Sequence, residues 1–394
     1  MRKFPLWFLI LSVLFLPFSA GCNKPKTPEE KIAKHKQALK KNPGSAEDHY
    51  QIGSLYLALR NYPEAMDHLK DAIRLKNDHA LAHRDLGVAH YYLKQYKEAG
   101  KWLKKAFALK PEDASVLNSL GGATIALGRN EDAVVYLKAA LKRGNEHIET
   151  YNNLGVAYAN LGQYDNAMEQ WKKVLEADPN RAETHNNIAV IQEKLGRTKE
   201  AIGEYQKTLE LDPKHLMAHY NLGALYIKDG QLEQAAGELK AALKIDANDA
   251  QTRAALGLVY MRMTKPDDAL REFGKALQIN PSDPPTLKAM GTLQKELGGT
   301  RASIDALERA INLKPDYAEA YYQLGMVYDS ISNGNKAIVN TAIARKLFLD
   351  KKDEASSENA RKNLDMFYTK YNLGPNDFKN IVMPTVTQGT AGTP

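Results

Sequence analysis

The stretch Tyr151–Pro179, YNNLGVAYANLGQYDNAMEQWKKVLEADP, contains the pattern that decides the fold of this 394-residue chain. Apolar residues recur in it at spacings of three and four, which is typical of amphipathic helices. The turn sequence GQYDN divides the stretch into two such helices, and Pro179 cannot continue the second one. The stretch therefore predicts a helical hairpin in which Gly155 and Ala167 lie where the two helices cross.

The same pattern recurs with a period of 34 residues. Each unit has a small residue at one aligned position and a second small residue twelve positions later, so two helix backbones can approach closely. Because each unit buries its apolar face against its neighbours, the pattern predicts a stacked array and not separate globular domains. The first positions are Gly53, Gly87, Gly121, Gly155, Ala189, Gly223, Gly257, Gly291 and Gly325; the second are Ala65, Ala99, Ala133, Ala167, Ala201, Ala235, Ala269, Ser303 and Ala337.

The unit resembles the tetratricopeptide repeat, which has the same length and the same Leu-Gly, Tyr, Ala and Pro landmarks. The resemblance implies an all-α fold, a right-handed superhelical solenoid of nine repeats over residues 46–351. The repeats begin at Ala46, Ala80, Ala114, Ile148, Ala182, Leu216, Ala250, Pro284 and Ala318.

Two further segments flank the repeats. Residues 22–45 are predicted to be a linker and a half-repeat helix, with Thr27 as its cap and Pro28 in its first turn. Residues 352–374 are predicted to be a capping helix, because apolar residues from Leu364 to Tyr371 form a helical stripe. The last residues, 375–394, are rich in Thr and Gly, and we expect them to be disordered.

The N-terminus has the order of an export signal: two basic residues, an uncharged run from Phe4 to Phe18, and small residues before Cys22. It resembles a bacterial lipoprotein signal, which implies removal of residues 1–21, acylation of Cys22 and attachment to the cell envelope. Asn23 follows the cysteine, and the resemblance to enterobacterial sorting then implies the outer membrane, facing the periplasm.

Two alternatives for the leader remain open. The run from Phe4 to Cys22 is long enough for an uncleaved membrane anchor, although Pro5 and Pro17 near its ends argue against one. The other alternative is a soluble secreted product. Because Cys22 is the only cysteine, no intramolecular disulfide and no four-thiolate metal site can form.

Charge is distributed unevenly along the chain. Residues 23–111 contain 18 Lys and Arg against 10 Asp and Glu, whereas residues 112–394 contain 34 against 37. No motif with interleaved aromatic and basic residues accompanies the basic part, so no nucleic-acid partner is predicted. The basic part either contacts anionic lipid head groups beside the anchor or forms a solvated face. Such a face would contain Lys94, Lys97, Lys101, Lys104 and Lys105.

Motifs for catalysis and for cofactors are not found in the sequence. It contains no phosphate-binding loop, no dinucleotide-binding glycine pattern and no nucleophile elbow. The pairs His79 with His83 and His215 with His219 have the spacing of two metal ligands on one helix face, but neither pair has a third ligand. We therefore predict packing roles for these histidines, and predict no catalytic residue, metal or cofactor.

Asparagines recur on the first helices, although asparagine is a poor helix former. The arrangement resembles the asparagine ladder in the repeats of O-linked N-acetylglucosamine transferases, which implies that a concave wall holds the main chain of a peptide. The alternative is that these amides join the repeats to one another. The candidate partner-binding residues are Asn118, Asn152, Asn153, Asn186, Asn187 and Asn221.

Two function classes follow from this surface. The first is a non-catalytic envelope scaffold that binds a partner protein or peptide, similar to the repeat lipoproteins that assist pilus or secretion-channel assembly. The alternative is an accessory protein of an exopolysaccharide export machine, in which tyrosines stack on sugars. The residues Tyr50 with Ser54, and Arg84 with Val88, do not match the carboxylate clamp of chaperone-binding repeats, so a chaperone tail is not the predicted partner. The tyrosines considered for sugar stacking are Tyr50, Tyr91, Tyr92, Tyr220 and Tyr322.

Overall fold

A computed structural model of the chain describes residues 27–378, and these residues form helices with no β-strand among them. They divide into two compact units between Leu211 and Asp212. In each unit, consecutive helices pair into antiparallel hairpins that stack on their neighbours, so the prediction of an all-α repeat solenoid is confirmed.

The first unit consists of one single helix followed by five hairpins. The first helix of each hairpin begins at the residue where the sequence pattern begins a repeat. The helices are α1 (Pro28–Lys41), α2 (Ala46–Ala58), α3 (Tyr62–Leu75), α4 (Ala80–Tyr92), α5 (Tyr96–Leu109), α6 (Ala114–Ala126), α7 (Asn130–Lys142), α8 (Ile148–Asn160), α9 (Tyr164–Ala177), α10 (Ala182–Lys194) and α11 (Thr198–Leu211).

The second unit consists of four hairpins and a C-terminal helix. Its helices are α12 (Leu216–Asp229), α13 (Leu232–Ile245), α14 (Ala250–Arg262), α15 (Pro266–Ile279), α16 (Pro284–Glu296), α17 (Thr300–Leu313), α18 (Ala318–Ser330), α19 (Gly334–Asp350) and α20 (Glu354–Tyr371), followed by a 3-10 turn, Pro375–Phe378.

The two small positions of each repeat lie where its two helices cross. A Cβ atom added to Gly53 of α2 would lie 2.7 Å from Leu69 Cγ and 3.1 Å from the carbonyl oxygen of Ala65, both on α3. No side chain fits between helices at that separation. The predicted close approach of the helix backbones is therefore confirmed, and the large residue that covers the glycine fills the core of the hairpin.

Helix α1 has the cap that the sequence predicts. The Thr27 hydroxyl accepts a hydrogen bond from the Glu30 amide at 3.2 Å, and the Glu30 carboxylate accepts one from the Thr27 amide at 3.1 Å. Together they form a capping box, which satisfies two amides at the helix start. On α1, Ile32 is buried.

The C-terminal helix α20 covers the last hairpin with its apolar stripe. Leu364 and Phe367 are buried against residues of α18 and α19, and Tyr368 and Tyr371 are partly buried beside them. Residues 375–394, the C-terminal tail, are expected from the sequence to be disordered, but residues 375–378 form the 3-10 turn, because Phe378 packs on Tyr368. The rest of that tail, 379–394, lies outside the described residues.

Candidate partner-binding surface

Consecutive first helices place the candidate asparagines at two adjacent registers of the repeat. Asn118, Asn152 and Asn186 share one register, and Asn153, Asn187 and Asn221 share the next. Asn152 and Asn153 lie on α8, and Asn186 and Asn187 lie on α10, exactly one period later. Asn118 lies on α6 of the same unit, whereas Asn221 lies on α12 of the second unit. The structure therefore brings the asparagines of α6, α8 and α10 into successive repeats of one unit.

Most of these amides are buried. The exposed fractions of Asn152, Asn153 and Asn187 are 2%, 3% and 0%, and that of Asn186 is 8%. Asn118 and Asn221 are half-buried. Burial of an amide is unfavourable unless its polar atoms are hydrogen-bonded, so the partners of these atoms decide what the arrangement can do.

One amide joins two repeats, and three others have polar atoms without a partner. Asn153 Nδ2 donates to Asn118 Oδ1 at 3.4 Å, which links α8 to α6. By contrast, the side-chain oxygens of Asn152 and Asn186 and both polar atoms of Asn187 have no hydrogen-bond partner. The asparagine positions thus contain one contact between repeats and four buried polar atoms without a hydrogen-bond partner among the described residues.

A charged pair that is not expected from the sequence, Arg84 and Asp85, occupies these two registers in the second repeat. Asp85 occupies the register of Asn153 and Asn187 and is 3% exposed. Its carboxylate accepts from Arg84 Nε at 2.7 Å, and Arg84 Nη1 donates to Ser115 Oγ at 2.9 Å. Burial raises the pKa of Asp85, and the Arg84 guanidinium opposes that shift. In the sequence, the position of Asp85 at the register of Asn153 and Asn187 is the feature that could have indicated this pair.

The histidines that resembled metal-ligand pairs have separate partners. His79 accepts from the Ala82 amide and caps α4, whereas His83 Nε2 lies 2.9 Å from the Asn77 carbonyl oxygen. In the other pair, His215 accepts from the Ala218 amide, and His219 Nδ1 lies 2.6 Å from a Glu238 carboxylate oxygen. Between residues 27 and 378, no three His, Cys, Asp or Glu side chains are grouped to hold a metal.

The tyrosines considered for sugar stacking are engaged within the fold. Tyr50 is buried, and burial raises its pKa to about 12. Tyr92 stacks on Tyr62 with ring centroids 5.3 Å apart. Tyr322 accepts a hydrogen bond from Asn363 at 2.6 Å. Tyr92 is nevertheless 36% exposed, so its contacts cover only part of the ring.

The lysines of the second repeat form an exposed face on α5. Lys97, Lys101 and Lys104 are exposed, and Lys101 forms a surface ion pair with Glu98 at 2.6 Å. The Lys105 ammonium lies 4.3 Å from the centre of the Trp102 ring. The face is accessible to an anionic surface and equally to solvent.

Cys22 and the leader lie outside the described residues. Within 27–378, no helix has the length and apolar character that a membrane crossing requires.

The class of protein follows from tandem hairpins in which small residues pack at each helix crossing: the chain is a helical-repeat scaffold. Five family models match it, and four carry the description "Tetratricopeptide repeat", while the fifth is described as "TPR repeat". The chain belongs to the tetratricopeptide repeat family. The four matches cover residues 50–114, 146–214, 193–259 and 250–283, and the fifth covers residues 291–330.

Solved structures that match parts of the chain include YrrB and two MamA structures. YrrB, described as a TPR protein with an unusual peptide-binding site, is 24% identical with a TM-score of 0.40, over 48% of this chain and 96% of YrrB. MamA is 26% identical with a TM-score of 0.40, over 42% of this chain and 97% of MamA. A MamA RS-1 double mutant is 21% identical with a TM-score of 0.41, over 43% and 94% of the two chains. Among curated proteins, none matches the chain.

Proposed function

We propose that this chain is a non-catalytic scaffold that binds an extended segment of a partner protein through the amides of α8 and α10. The observation that carries the proposal is the set of four buried polar atoms without a partner on Asn152, Asn186 and Asn187. Leaving a buried polar atom unpaired costs about 1–3 kcal/mol. A polar ligand that forms hydrogen bonds with these atoms recovers that free energy. The unpaired atoms therefore favour binding of a polar ligand.

An extended peptide has the chemistry that these amides need. Its main chain offers both N–H donors and carbonyl acceptors along one edge. Asn187 has an unpaired donor and an unpaired acceptor, whereas Asn152 and Asn186 each have an unpaired acceptor. Contacts with the main chain do not depend on the side chains of the peptide, so this surface supplies affinity and selects little by sequence.

Burial of the amides sets a condition on binding. The partner segment reaches Asn187, which is 0% exposed, only when the side chains that cover it move apart. In a repeat array each hairpin is held chiefly by its neighbours, so local opening of adjacent hairpins is the available motion. We therefore propose that binding opens and then stabilises the fourth and fifth repeats.

The triple substitution Asn152→Ala, Asn186→Ala and Asn187→Ala tests the proposal. The free protein should keep its helicity and its melting temperature or melt slightly higher, because alanine is the better helix former and unpaired buried amides are removed. Affinity should fall by roughly tenfold to a thousandfold, since each lost hydrogen bond contributes about 0.5–1.5 kcal/mol. Calorimetric titration with the partner captured from detergent-solubilised envelopes measures the change.

A control triple is available on the exposed surface of the fourth repeat: Asn160→Ala, Asn166→Ala and Asn180→Ala, all at exposed positions. It should leave affinity unchanged. If the inner triple is fully folded and binds as tightly as the wild type, the amides do not hold the partner. If it instead melts well below the wild type, the amides join the repeats.

We also propose that the scaffold is tethered to the outer membrane, facing the periplasm, through a lipid on Cys22. The leader sequence and the basic balance of residues 23–111 support this proposal. A tether holds the repeats near envelope machinery, which suits assistance to pilus or secretion-channel assembly. The exopolysaccharide alternative depends on open aromatic faces; among the tyrosines considered for it, Tyr50 is buried, whereas Tyr92 is 36% exposed.

Substitution of Cys22 by serine should abolish acylation and membrane retention. The repeats should stay folded, because Cys22 precedes the first helix. Detergent partitioning measures retention, and mass spectrometry of the mature N-terminus detects the lipid. A wild-type protein that carries no lipid on Cys22 would exclude the tether.

A further inference from the structure

A groove lies between α9 and α11, with α10 as its floor. Its volume is about 630 Å³. Met168 and Leu175 of α9 and Ile188 of α10 form its apolar part, and Lys172 and Gln192 also line it. All of these residues belong to the first unit, and none is a candidate amide.

The groove is larger than its counterpart in the ninth repeat, and it lacks a tyrosine. In the ninth repeat Tyr328 occupies the register of Gln192, and the equivalent groove has a volume of about 480 Å³, so the tyrosine narrows the groove without closing it. In the fourth repeat, Tyr158 occupies the register of Gln192, and the Lys138 ammonium lies 5.5 Å from the centre of its ring. The first repeat has the same arrangement, with Lys36 over Tyr56 at 5.3 Å. In both cases the lysine precedes the tyrosine by twenty residues.

The second unit repeats this lysine–tyrosine contact in the seventh repeat, where Lys240 lies 5.5 Å from the centre of the Tyr260 ring. Lys172 precedes Gln192 by the same twenty residues, so the fifth repeat has the ammonium without the ring. The amide of Gln192 is smaller and fills less of the groove.

In the third repeat another residue also replaces the tyrosine, but aromatic rings from neighbouring positions fill the equivalent space. Thr124 occupies the tyrosine register there, but Phe107 and Tyr136 contact each other edge to face at 6.3 Å. The residues at the registers of those two rings in the groove are Leu175 and Glu204. Neither supplies an aromatic ring, so the space remains open.

The charges around the groove favour a basic ligand. Four carboxylates line it against one lysine. Glu204 lies 2.6 Å from His185, Glu169 lies 3.0 Å from Lys173, and Glu176 lies 4.0 Å from Lys172. The carboxylates that line the groove still outnumber its lysine, so the rim is negative. Complementary charge raises association rates and discriminates against acidic partners. The four carboxylates belong to Asp165, Glu169, Glu176 and Glu204.

We propose that this groove docks an aromatic side chain from a partner protein whose flanking residues are basic. The ring occupies the place that a tyrosine fills in sister repeats, between Met168, Leu175 and Ile188, with the Lys172 ammonium over its face. Buried aromatic anchors supply much of the binding energy at protein interfaces, and the flanking basic residues meet the carboxylate rim.

Synthetic peptides test the groove directly. The probe has eleven residues, with a central tyrosine flanked on each side by two lysines and otherwise serine and glycine. It should bind the mature chain and shift the amide resonances of α9, α10 and α11. Replacing the tyrosine by alanine should weaken binding at least tenfold, and replacing the lysines by glutamates should abolish it. Equal binding of the tyrosine and alanine peptides, or no binding of either, would overturn the proposal.

The substitution Gln192→Tyr should narrow the groove without destabilising the fold, so any loss of peptide binding can be assigned to the groove. It restores the sister-repeat arrangement, so it should raise the melting temperature while weakening the tyrosine peptide at least tenfold. The matched control is Gln294→Tyr, at the same register in the second unit, which should leave peptide binding unchanged. A folded Gln192→Tyr protein that binds the peptide as tightly as the wild type would exclude the groove.

Lys172→Ala provides a second test of the groove, which does not depend on whether the Gln192→Tyr variant folds. The Lys172 side chain is 79% exposed, so Lys172→Ala should fold normally. It should lower the affinity ratio between the tyrosine and alanine peptides by roughly two- to fivefold, the effect of one exposed cation–π contact, because both peptides carry the same lysines and the change in rim charge cancels in the ratio. The alanine triple at Asn152, Asn186 and Asn187 should leave the tyrosine peptide bound as in the wild type. The two proposals can therefore fail independently, because the peptide tests the groove and the alanine triple tests the asparagines.

Discussion

Replacing Gly155 by leucine is expected to destabilise the fourth repeat by about 1–3 kcal/mol. A Cβ atom at this position would lie 2.5 Å from Trp171 Nε1 and 2.8 Å from two ring carbons. The Trp171 ring is fully buried and cannot swing away without losing its own packing. Hydrogen exchange of α8 and α9, beside denaturant unfolding of the whole chain, measures the loss.

Gly203 offers the matched control, because a Cβ atom there meets nothing within 4 Å. Gly203→Leu on the exposed face of α11 should stabilise the helix by about 0.5–1 kcal/mol, since glycine is the poorer helix former. Coupling in repeat arrays runs chiefly between neighbours, so the loss in Gly155→Leu should centre on the third to fifth repeats. A uniform loss along α1–α11 would contradict the assigned crossing.

The fold follows from the sequence because its determinants are local and repeated. The spacing between Gly155 and Ala167 fixes where two helices cross, and the same spacing in eight other units removes ambiguity about the period. Helices α2 and α4 begin at Ala46 and Ala80, the residues at which the pattern begins. Local periodicity specifies such hairpins without any contact distant in sequence.

The candidate surface is less accessible to sequence reasoning. The register of Asn187 can be read from the repeat, but its complete burial depends on how the neighbouring repeats pack. The unpaired atoms of Asn152 and Asn187 are likewise a property of three-dimensional packing. Asp85 lies at the register of Asn153 and Asn187, but a single carboxylate does not continue the repeated pattern of asparagines. The repeat pattern therefore gave no reason to select it.

The groove illustrates a similar limit. The absence of tyrosine at Gln192 is visible in the sequence, as is the absence at Thr124. Only the structure shows that Phe107 of the second repeat contacts Tyr136 of the third repeat, whereas no ring lines the equivalent space between α9 and α11. A departure from a repeat pattern therefore indicates where to look, and the neighbouring side chains decide whether a binding site results.

Truncation of Phe367 to alanine is expected to cost about 3–5 kcal/mol, the largest effect among these substitutions. Phe367 is 0% exposed and packs in the cluster that joins α20 to α18 and α19, including Leu324, Tyr328 and Ile338. Among the described residues α20 is the element that covers the last hairpin, so removing the ring leaves a cavity between α20 and that hairpin. Hydrogen exchange should show early opening of α18–α20.

The adjacent residue provides the control, because Met366 lies on the same helix and is 51% exposed. Met366→Ala should change stability by less than about 0.5 kcal/mol, as is usual for a surface position. Helices α12–α15 should keep their exchange protection in both variants, since they lie beyond the immediate neighbours of α20. If Phe367→Ala were no more destabilising than Met366→Ala, α20 would not act as the cap of the last repeat, and the apolar stripe from Leu364 to Tyr371 would need a different partner.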